Sequence, residues 1–401
     1  MKTADAAFVY SIEEHSYHFH DKHPFNPLRL TLTKDLLEAC NSLDTNKILK
    51  PRKATEEELA LVHDLAFIDA VKLAGANKLS AEKARSYGLG TDDTPFFNDM
   101  HNAASYLVGG TLTAVDAVMN GSYSHAIHLG GGLHHGFKGK ASGFCIYNDS
   151  AIAIEYLKQK YQARVLYVDT DAHHGDGVQW SFYDDPDVFT LSVHETGRYL
   201  FPGTGSVTEK GAGAGYGLKV NIPLEAFTED DSFLESYETA FREAVDFFRP
   251  DLILTVNGAD SHYLDPLTHL HTSLKSFHFI PKLAHELAHE YCEGRWVAVG
   301  GGGYDHWRVV PRAWASIWLE MTNQTDVLNQ PIPQTWIEQW QDHADVQLPQ
   351  SWYDDEKMLP VVPRKPIITA RNQQTIEKAL FHIRNEKPSR RPSFTQKNNL
   401  C

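Results

Sequence analysis

Residues 164–177 read RVLYVDTDAHHGDG, an apolar run that passes directly into a polar cluster. The branched and aromatic side chains of RVLYV predict a buried strand. Beyond it, Asp169, Asp171 and His173 occupy alternate positions, so a strand that continues this far presents all three on one side. The stretch therefore predicts a buried strand whose end brings carboxylates and an imidazole together.

The same order of apolar run and polar cluster recurs three more times. Runs ending near residues 129, 256 and 299 are followed by GGGLHHG, NGADSHYLDP and GGGGYDH, and another strand-like run, VFTLSV, lies at 188–193. Helical patterns are found at 57–74, 101–119, 151–161, 233–248 and 280–292. Alternating strands and helices predict an α/β fold with a largely parallel sheet and helices on both faces. Since ligands bind outside the carboxyl ends of parallel strands, the four clusters indicate one shared crevice.

Composition and charge narrow the classes of function. The 401 residues are 42% apolar and 22% charged, which is typical of globular proteins. No apolar run approaches the ~18 residues of a membrane span. The net charge of −15 disfavours nucleic acid as a partner and tolerates a cationic substrate. The first residues lack a signal-peptide pattern and the four cysteines form no CxxC motif, so we expect a cytoplasmic protein.

The charge is distributed unevenly along the chain. Residues 362–401 carry nine Lys and Arg but two Glu, a net charge of +7, and the rest of the chain carries −22. Every polar cluster lies before this segment. We therefore predict a catalytic domain at 1–325 and a C-terminal extension at 326–401, basic from about residue 362 and partly helical and solvated at that end.

The alternating acids and histidine predict a metal site. Asp171 and His173 form a chelating pair, and Asp260, after a neighbouring strand, can supply a third ligand. Three protein ligands leave positions open on a divalent ion, as a catalytic site requires. Zinc suits this set, and two carboxylates with one imidazole also suit Fe(II). The alternative, that these residues only cap turns, is disfavoured because the pair occurs together with the other clusters.

His134 and His135 have the composition of an acid–base pair. They follow three glycines, which let the backbone approach a ligand closely. Asp169 and Asp176 are available to orient the two imidazoles, and a His–carboxylate pair beside a metal site is suited to proton transfer. Tyr304, after four glycines, can donate a hydrogen bond to a developing oxyanion. Taken alone, the His pair could be a surface loop, and GGGGY a turn or a phosphate loop, although no GK[ST] follows it.

Together these motifs resemble those of the zinc-dependent histone deacetylase family, specifically its bacterial acetoin-utilisation branch. The matching stretches are HPFNPLR at 23–29, YGLGTDD at 87–93, GGGLHHGFKGKASGFCIYND at 130–149, YVDTDAHHGDGVQ at 167–179, FPGTG at 201–205, NGADSHYLDPL at 257–267 and GGGGY at 300–304. The resemblance implies an arginase–deacetylase α/β fold with a single central, mainly parallel sheet flanked by helices.

The resemblance also implies a role for each motif residue at the reacting centre. It makes His135 the general base and then the acid, and His134 an electrostatic helper. Tyr304 becomes the donor to the tetrahedral oxyanion. The remaining residues are the metal ligands Asp171, His173 and Asp260 and the carboxylate partners Asp169 and Asp176. A structural K⁺ site falls by the same resemblance on Asp169, Asp171, His173, Ser192 and Val193.

Substrate-binding residues follow from the same resemblance. A narrow tunnel for the lysine methylenes is expected along Gly143, Phe144, Phe201 and Gly302, although the two aromatic residues alone could equally belong to a core. Leu267 matches the tunnel mouth and Arg29 the neighbourhood of the acetate exit. Asp92 matches the rim aspartate that holds the substrate backbone, with Asp93 beside it as the alternative. His262 and Tyr263 depart from the smaller residues of animal relatives, which bears on the shape of the rim.

The expected function is hydrolysis of N6-acetyl-lysine in proteins to lysine and acetate. The branch suggests metabolic enzymes such as an acetyl-CoA synthetase as substrates. Alternatives are an acetylpolyamine deacetylase, a non-catalytic acetyl-lysine binder and a binuclear manganese ureohydrolase. The ureohydrolase needs more acids after the DAH stretch than this chain has. A non-catalytic binder derived from an enzyme is expected to have lost a metal ligand or the tyrosine, and this chain keeps them all. The sequence leaves the oligomeric state open.

Overall fold

One sheet of eight parallel strands forms the centre of the protein in a computed structural model, which describes residues 6–386. In spatial order the strands are β2 (Ile48–Leu49), β1 (Ala6–Val9), β3 (His125–His128), β8 (Trp296–Val299), β7 (Leu252–Val256), β4 (Val165–Asp169), β5 (Val188–Glu195) and β6 (Lys219–Leu224). The central strands are buried on both faces, as expected where helices cover a parallel sheet. The predicted single parallel sheet is confirmed.

Twelve α-helices surround the sheet within the described residues. They are α1 (Leu28–Ala39), α2 (Glu56–Leu59), α3 (Leu65–Gly75), α4 (Ala81–Ser86), α5 (Met100–Met119), α6 (Asp149–Tyr161), α7 (Asp176–Ser181), α8 (Asp230–Phe248), α9 (Leu274–Tyr291), α10 (Val310–Met321), α11 (Gln334–Trp340) and α12 (Lys365–Asn385). The apolar cores on the two faces of the sheet are built from separate sets of side chains. Between residues 6 and 386, no helix has the length and apolarity that crossing a bilayer demands.

The strand register brings the four polar clusters together. His128 at the end of β3 pairs with Val299 of β8, Val299 with Val256 of β7, and Val256 with Asp169 of β4. Four neighbouring strands therefore end level with one another. The loops that leave these ends begin at adjacent points along one edge of the sheet, as the sequence predicts.

One local prediction from the sequence is wrong, and one strand was not predicted. The single helix expected at 57–74 is split into α2 and α3, because the residues between them serve the loop at 137–148. The Nδ1 atom of His63 lies 3.0 Å from the Phe137 carbonyl oxygen, and the Asp64 backbone donates to the Lys138 carbonyl. The edge strand β6 was not predicted because Lys219 and Pro223 interrupt its apolar pattern.

Residues 326–386 pack onto the rest of the chain. The Trp336 indole donates to the Leu32 carbonyl at 3.1 Å, and Leu380 on α12 is fully buried in the core that α8 shares. The basic helix α12 also pairs with acids of α8, with Arg384 bound to Glu243. The boundary predicted at residue 325 stays a prediction, and residues 387–401 of the predicted extension lie outside the described residues.

Candidate active site

Asp171, His173 and Asp260 meet at the carboxyl end of the sheet. The His173 Nδ1 atom lies 3.1 Å from Asp171 Oδ1 and 2.9 Å from Asp260 Oδ2, and all three residues are buried. Backbone groups hold the carboxylates in place. Gly302 donates its N–H to Asp171 at 2.6 Å, and Ala172 donates to Asp260 at 2.8 Å. The loops after β4, β7 and β8 therefore fix one group of three donor side chains.

The electrostatics of this group favour a positive charge. Burial alone would lower the pKa of His173, but hydrogen bonds to Asp171 and Asp260 raise it well above its usual value. Burial, together with the charge of Asp171, raises the pKa of Asp260 to about 6. Two crowded carboxylates are relieved by any cation placed between them. The donor set and its field fit a divalent ion such as zinc or Fe(II).

His134 and His135 lie beside this group, and each is held by its own carboxylate. The distances from Nδ1 are 2.7 Å to Asp169 Oδ2 for His134 and 2.7 Å to Asp176 Oδ1 for His135. The Nδ1–H groups donate to these acids, so the two Nε2 atoms face the site, 3.1 Å apart. The structure thus brings together the four residues that the sequence suggested as an acid–base pair with its orienting acids.

The two imidazoles have opposite charge preferences. Burial opposes a charge on His134, but Asp169 and Asp171 outweigh it and raise its pKa to about 9. Burial, followed by the charge of the adjacent His134, lowers the pKa of His135 to about 4, although Asp176 acts in the opposite direction. His134 therefore favours the imidazolium form, and His135 the neutral form that can accept a proton.

Sequence reasoning missed the residues that hold the glycine loop before the His pair. Asp149 accepts hydrogen bonds from the backbone of Gly132 at 3.1 Å and Leu133 at 2.7 Å, and Asn148 donates to the His134 carbonyl at 3.1 Å. Both acceptor and donor are fully buried. Their signal was available, because a polar pair before a helical stretch commonly caps the helix, and Asn148 also caps α6.

Tyr304 lines the same cavity as Asp171 and His173, and Asp265 fixes its backbone. The Asp265 carboxylate accepts from the Tyr304 N–H at 2.8 Å and from the Leu267 N–H at 2.9 Å. Burial, followed by the charge of Asp260, raises the pKa of Tyr304 well above its usual value, so its phenol stays protonated. The sequence does not reveal this role of Asp265, because an acid directly before proline is typical of a turn.

A narrow cavity with an empty volume of about 290 Å³ leads to these side chains. Gly143, Phe144 and Gly302 line it, together with His135 and Tyr304. Both Gly143 and Phe144 have positive φ, and a Cβ on Gly143 would lie 2.5 Å from the His135 ring. Only glycine leaves room for the loop to approach the imidazole this closely.

The other residues expected to bind substrate lie at this cavity or outside it. The Phe201 ring packs edge-on against His135, with centroids 5.0 Å apart, and is 44% exposed, so it is not a core residue. Leu267 is half-buried, and its backbone N–H donates to Asp265, the same carboxylate that accepts from the Tyr304 N–H. Asp92 and Asp93 are exposed outside the cavity. Asp92 lines a separate surface depression together with His23, whose ring contacts Phe144.

Arg29 lines a second small cavity that shares Phe25 with the first. Its guanidinium is buried, donates to the Gly303 carbonyl at 3.2 Å and stacks on Phe25 and Trp314. Of the two residues expected to bear on the shape of the rim, His262 lies away from it. His262 is fully buried and lies 2.9 Å from Asp354, so it anchors the C-terminal segment rather than shaping the rim.

The residues suggested for a monovalent cation also cluster. Asp169 pairs with Ser192 in the sheet register, which puts Val193 next along the neighbouring strand. The Asp171 backbone donates to the Asp169 carboxylate at 3.0 Å. The structure thus places Asp169, Asp171 and Ser192 close together at the ends of two neighbouring strands.

Comparison with known proteins identifies the family. The model of the histone deacetylase domain matches residues 23–321. The chain belongs to the histone deacetylase family. Acetoin utilization protein AcuC of Bacillus subtilis is 62% identical over 382 residues, covering 95% of this chain and 98% of that protein. AcuC of Staphylococcus xylosus is 45% identical over 373 residues, with 93% and 97% covered.

Solved structures agree with this assignment. A histone deacetylase homologue complexed with SAHA superposes with a TM-score of 0.81 at 30% identity, covering 94% of this chain and 99% of that one. The homologue from Aquifex aeolicus gives 0.80 at the same identity. The fold is therefore the arginase–deacetylase fold, and the protein is a hydrolase of the deacetylase class.

Proposed function

We propose that this enzyme hydrolyses N6-acetyl-lysine in proteins, releasing lysine and acetate, with zinc or Fe(II) held by Asp171, His173 and Asp260. One observation carries the proposal. The narrow cavity is lined by His135, Tyr304 and Asp171. Asp171 and Asp260 both contact His173, so the three proposed metal ligands lie beside the base and the phenol. A divalent ion bound there supplies Lewis acidity toward a carbonyl oxygen and lowers the pKa of water.

The acid–base steps follow from the two imidazoles. His135 is the base that takes a proton from the water attacking the carbonyl carbon, because its low pKa keeps Nε2 unprotonated. Asp176 holds its Nδ1–H and so stabilises the resulting imidazolium. The same Nε2 then returns the proton to the leaving lysine amine. His134 stays cationic beside Asp169 and favours negative charge that develops at the carbonyl.

Tyr304 completes the site as a hydrogen-bond donor. Its hydroxyl stays protonated and donates to the carbonyl oxygen as that atom gains negative charge. Asp265 and the glycines before Tyr304 keep the backbone in position. Such a complete set of side chains disfavours a non-catalytic acetyl-lysine binder.

The shape of the entrance supports an acetyl-lysine side chain as substrate. Phe144 and Phe201 are suited to contact the lysine methylenes, and Gly143 and Gly302 are suited to keep the passage narrow. At the mouth, Leu267 offers an apolar contact to a peptide and no charge to a polyamine. Asp92, or Asp93 beside it, is suited to bind the substrate backbone from the rim. An acetylpolyamine deacetylase is the alternative.

Further parts of the proposal rest on the family. By the resemblance to the acetoin-utilisation branch, metabolic enzymes such as an acetyl-CoA synthetase are the proposed substrates, in the cytoplasm. K⁺ is proposed at Asp169, Asp171, His173, Ser192 and Val193, where it would brace the loop that carries the metal ligands. The catalytic part is proposed to span residues 1–325.

Two measurements test the substrate. Acetylated proteins are compared by mass spectrometry in cells with and without the protein, and sites that rise in its absence are expected in metabolic enzymes. Purified wild type and His135→Ala are then assayed on the corresponding acetyl-lysine peptides. Absence of wild-type turnover on every such peptide, in metal-loaded enzyme, would contradict the proposed substrate class.

A further inference from the structure

A second group of histidines lies at the opposite end of the sheet from the active site. His125 begins β3, whereas the active-site pair follows the end of that strand. His285 and His289 lie four residues apart on α9 and so face the same side of the helix. Ring centroids are 4.6 Å, 5.0 Å and 4.8 Å apart for the three pairs. We call His125, His285 and His289 the basal histidine cluster.

The ring nitrogens of this cluster converge. The Nε2 atoms of His285 and His289 are 3.1 Å apart, and one nitrogen from each of the three rings lies within 4.8 Å of the others. Two ligands at zinc–nitrogen distances of about 2.0–2.1 Å in a tetrahedral site are about 3.3 Å apart. His285 and His289 already have about this spacing between their Nε2 atoms. A ring nitrogen of His125 lies within 4.8 Å of both and must move closer to complete the site.

The ring of His125 is fully buried, and neither of its nitrogens makes a hydrogen bond of ordinary geometry. The backbone of Gly294 lies near the ring but does not satisfy either nitrogen by this measure. Buried polar atoms in native proteins are nearly always satisfied, so such a ring calls for an explanation.

The surroundings orient one ligand and leave an approach from solvent. Glu320 on α10 accepts from His285 Nδ1 at 3.1 Å, which leaves the Nε2 lone pair of His285 facing the cluster. Trp296 stacks on the same ring, with an interplanar angle of 30°. His289 is exposed, so an ion can enter without unfolding the helix. A carboxylate–histidine pair of this kind is common around protein-bound zinc.

We propose that the basal histidine cluster is a second metal site, which binds Zn²⁺ through three imidazoles with a fourth position open to solvent. The ion joins α9 to the beginning of β3, so its role is to stabilise the end of the sheet remote from catalysis. Three imidazole nitrogens select zinc and its neighbours among transition metals and disfavour magnesium and calcium, which prefer oxygen. The site is independent of the proposed reaction.

The test measures bound zinc and thermal stability. Each protein is loaded with excess zinc chloride, freed of loose metal by gel filtration, and analysed for zinc per chain. We expect two zinc ions in wild type, one in His289→Ala, one in His173→Ala, and two in His343→Ala, a control at an exposed histidine outside both sites. Deacetylase activity of His289→Ala is expected to match that of wild type.

A second measurement separates binding from loss of fold. In His173→Ala, added zinc is expected to raise the melting temperature, and in the His173→Ala/His289→Ala double variant this rise is expected to disappear. Equal zinc content in wild type and His289→Ala would overturn the proposal. So would a zinc-dependent rise in melting temperature that survives in the double variant. Neither readout depends on whether acetyl-lysine is the substrate.

Discussion

His134 and His135 bring their Nε2 atoms within 3.1 Å of each other, yet their Nδ1 atoms are held by different acids. Because their pKa values differ, His135 is suited to act as a base and His134 to remain a cation. The inequality arises because Asp169 and Asp171 both lie near His134, whereas His135 is buried with Asp176 alone as its hydrogen-bonded acid.

The first prediction concerns the acid that holds His135. Replacing Asp176 by Asn removes the negative charge that stabilises the imidazolium, so kcat is expected to fall by ~10²-fold or more. The acidic limb of the pH–rate profile should also move to lower pH, because the substitution lowers the pKa of His135. Steady-state kinetics across pH measure both effects, with Asp184→Asn, at an exposed acid, as the control. An unchanged kcat would remove Asp176 from the mechanism.

The second prediction concerns the phenol. Tyr304→Phe is expected to fold normally and to lose ~10²-fold or more in kcat, because one hydrogen-bond donor to the oxyanion is lost. Tyr263→Phe is the matched control, since this half-buried tyrosine lies outside the lining of the cavity. Turnover of Tyr304→Phe close to that of the control would show that the hydroxyl makes no contact with the reacting carbonyl.

The third prediction concerns metal stoichiometry at the catalytic site. In a His289→Ala background, which disables the basal histidine cluster, we expect one divalent ion per chain, and none after the further change Asp260→Asn. Inductively coupled plasma mass spectrometry measures both. Two ions that both depend on Asp260 would instead favour the binuclear ureohydrolase alternative.

The sequence predicted the strand ends well because each polar cluster directly follows an apolar run. The convergence of Asp171, His173 and Asp260 could therefore be predicted from the sequence. The break at His63 was missed because its hydrogen bonds reach a loop more than 70 residues away. Asp265 was missed for a related reason, since it acts through backbone N–H groups that no side-chain motif records.

Other features depend on long-range packing that periodicity does not report. His125 belongs to no recognisable motif, and its neighbours on α9 are 160 or more residues further along the chain. The two histidines of α9 form a visible pair four residues apart, but in an amphipathic helix such a pair usually marks nothing beyond the helix surface. Only the crossing of α9 over the beginning of β3 joins them.

The fourth prediction concerns stability at acidic pH. Burial lowers the pKa of His63 to about 4, from about 6.5 in an unfolded chain. Between these values the unfolded chain binds a proton that the folded protein does not, so stability is present above pH 6.5 and is lost as pH falls toward 4. The contribution is about 3 kcal/mol.

Urea denaturation at several pH values measures this effect. His63→Gln is expected to show a weaker loss of unfolding free energy between pH 7 and pH 4 than wild type, whereas His343→Gln, at an exposed histidine, is expected to keep the wild-type slope. Because His63 also accepts from the Asn148 backbone at 3.0 Å, it holds both ends of the loop that carries Phe144. Parallel slopes in wild type and His63→Gln would show that this histidine does not set the acid sensitivity.

The last prediction concerns Leu267 and the choice between peptide and polyamine. Its half-buried side chain lies two residues from Asp265, the acid that also holds the Tyr304 backbone, so its position is coupled to the reacting centre. An apolar side chain there packs against an uncharged peptide and offers nothing to the distant ammonium of an acetylated polyamine. We therefore expect a higher kcat/KM on an acetyl-lysine peptide than on N8-acetylspermidine.

Leu267→Glu is expected to shift this ratio toward the polyamine by about 10²-fold, because a partly buried ion pair contributes a few kcal/mol to discrimination. Leu267→Gln has nearly the same shape without the charge and should move the ratio little, which separates charge from packing. The kinetic constants of all three proteins are measured on both substrates in zinc-loaded enzyme. A wild type that prefers the polyamine would overturn the substrate assignment and leave the metal chemistry intact. An equal ratio in Leu267→Glu and Leu267→Gln would show instead that residue 267 does not contact the far end of the substrate.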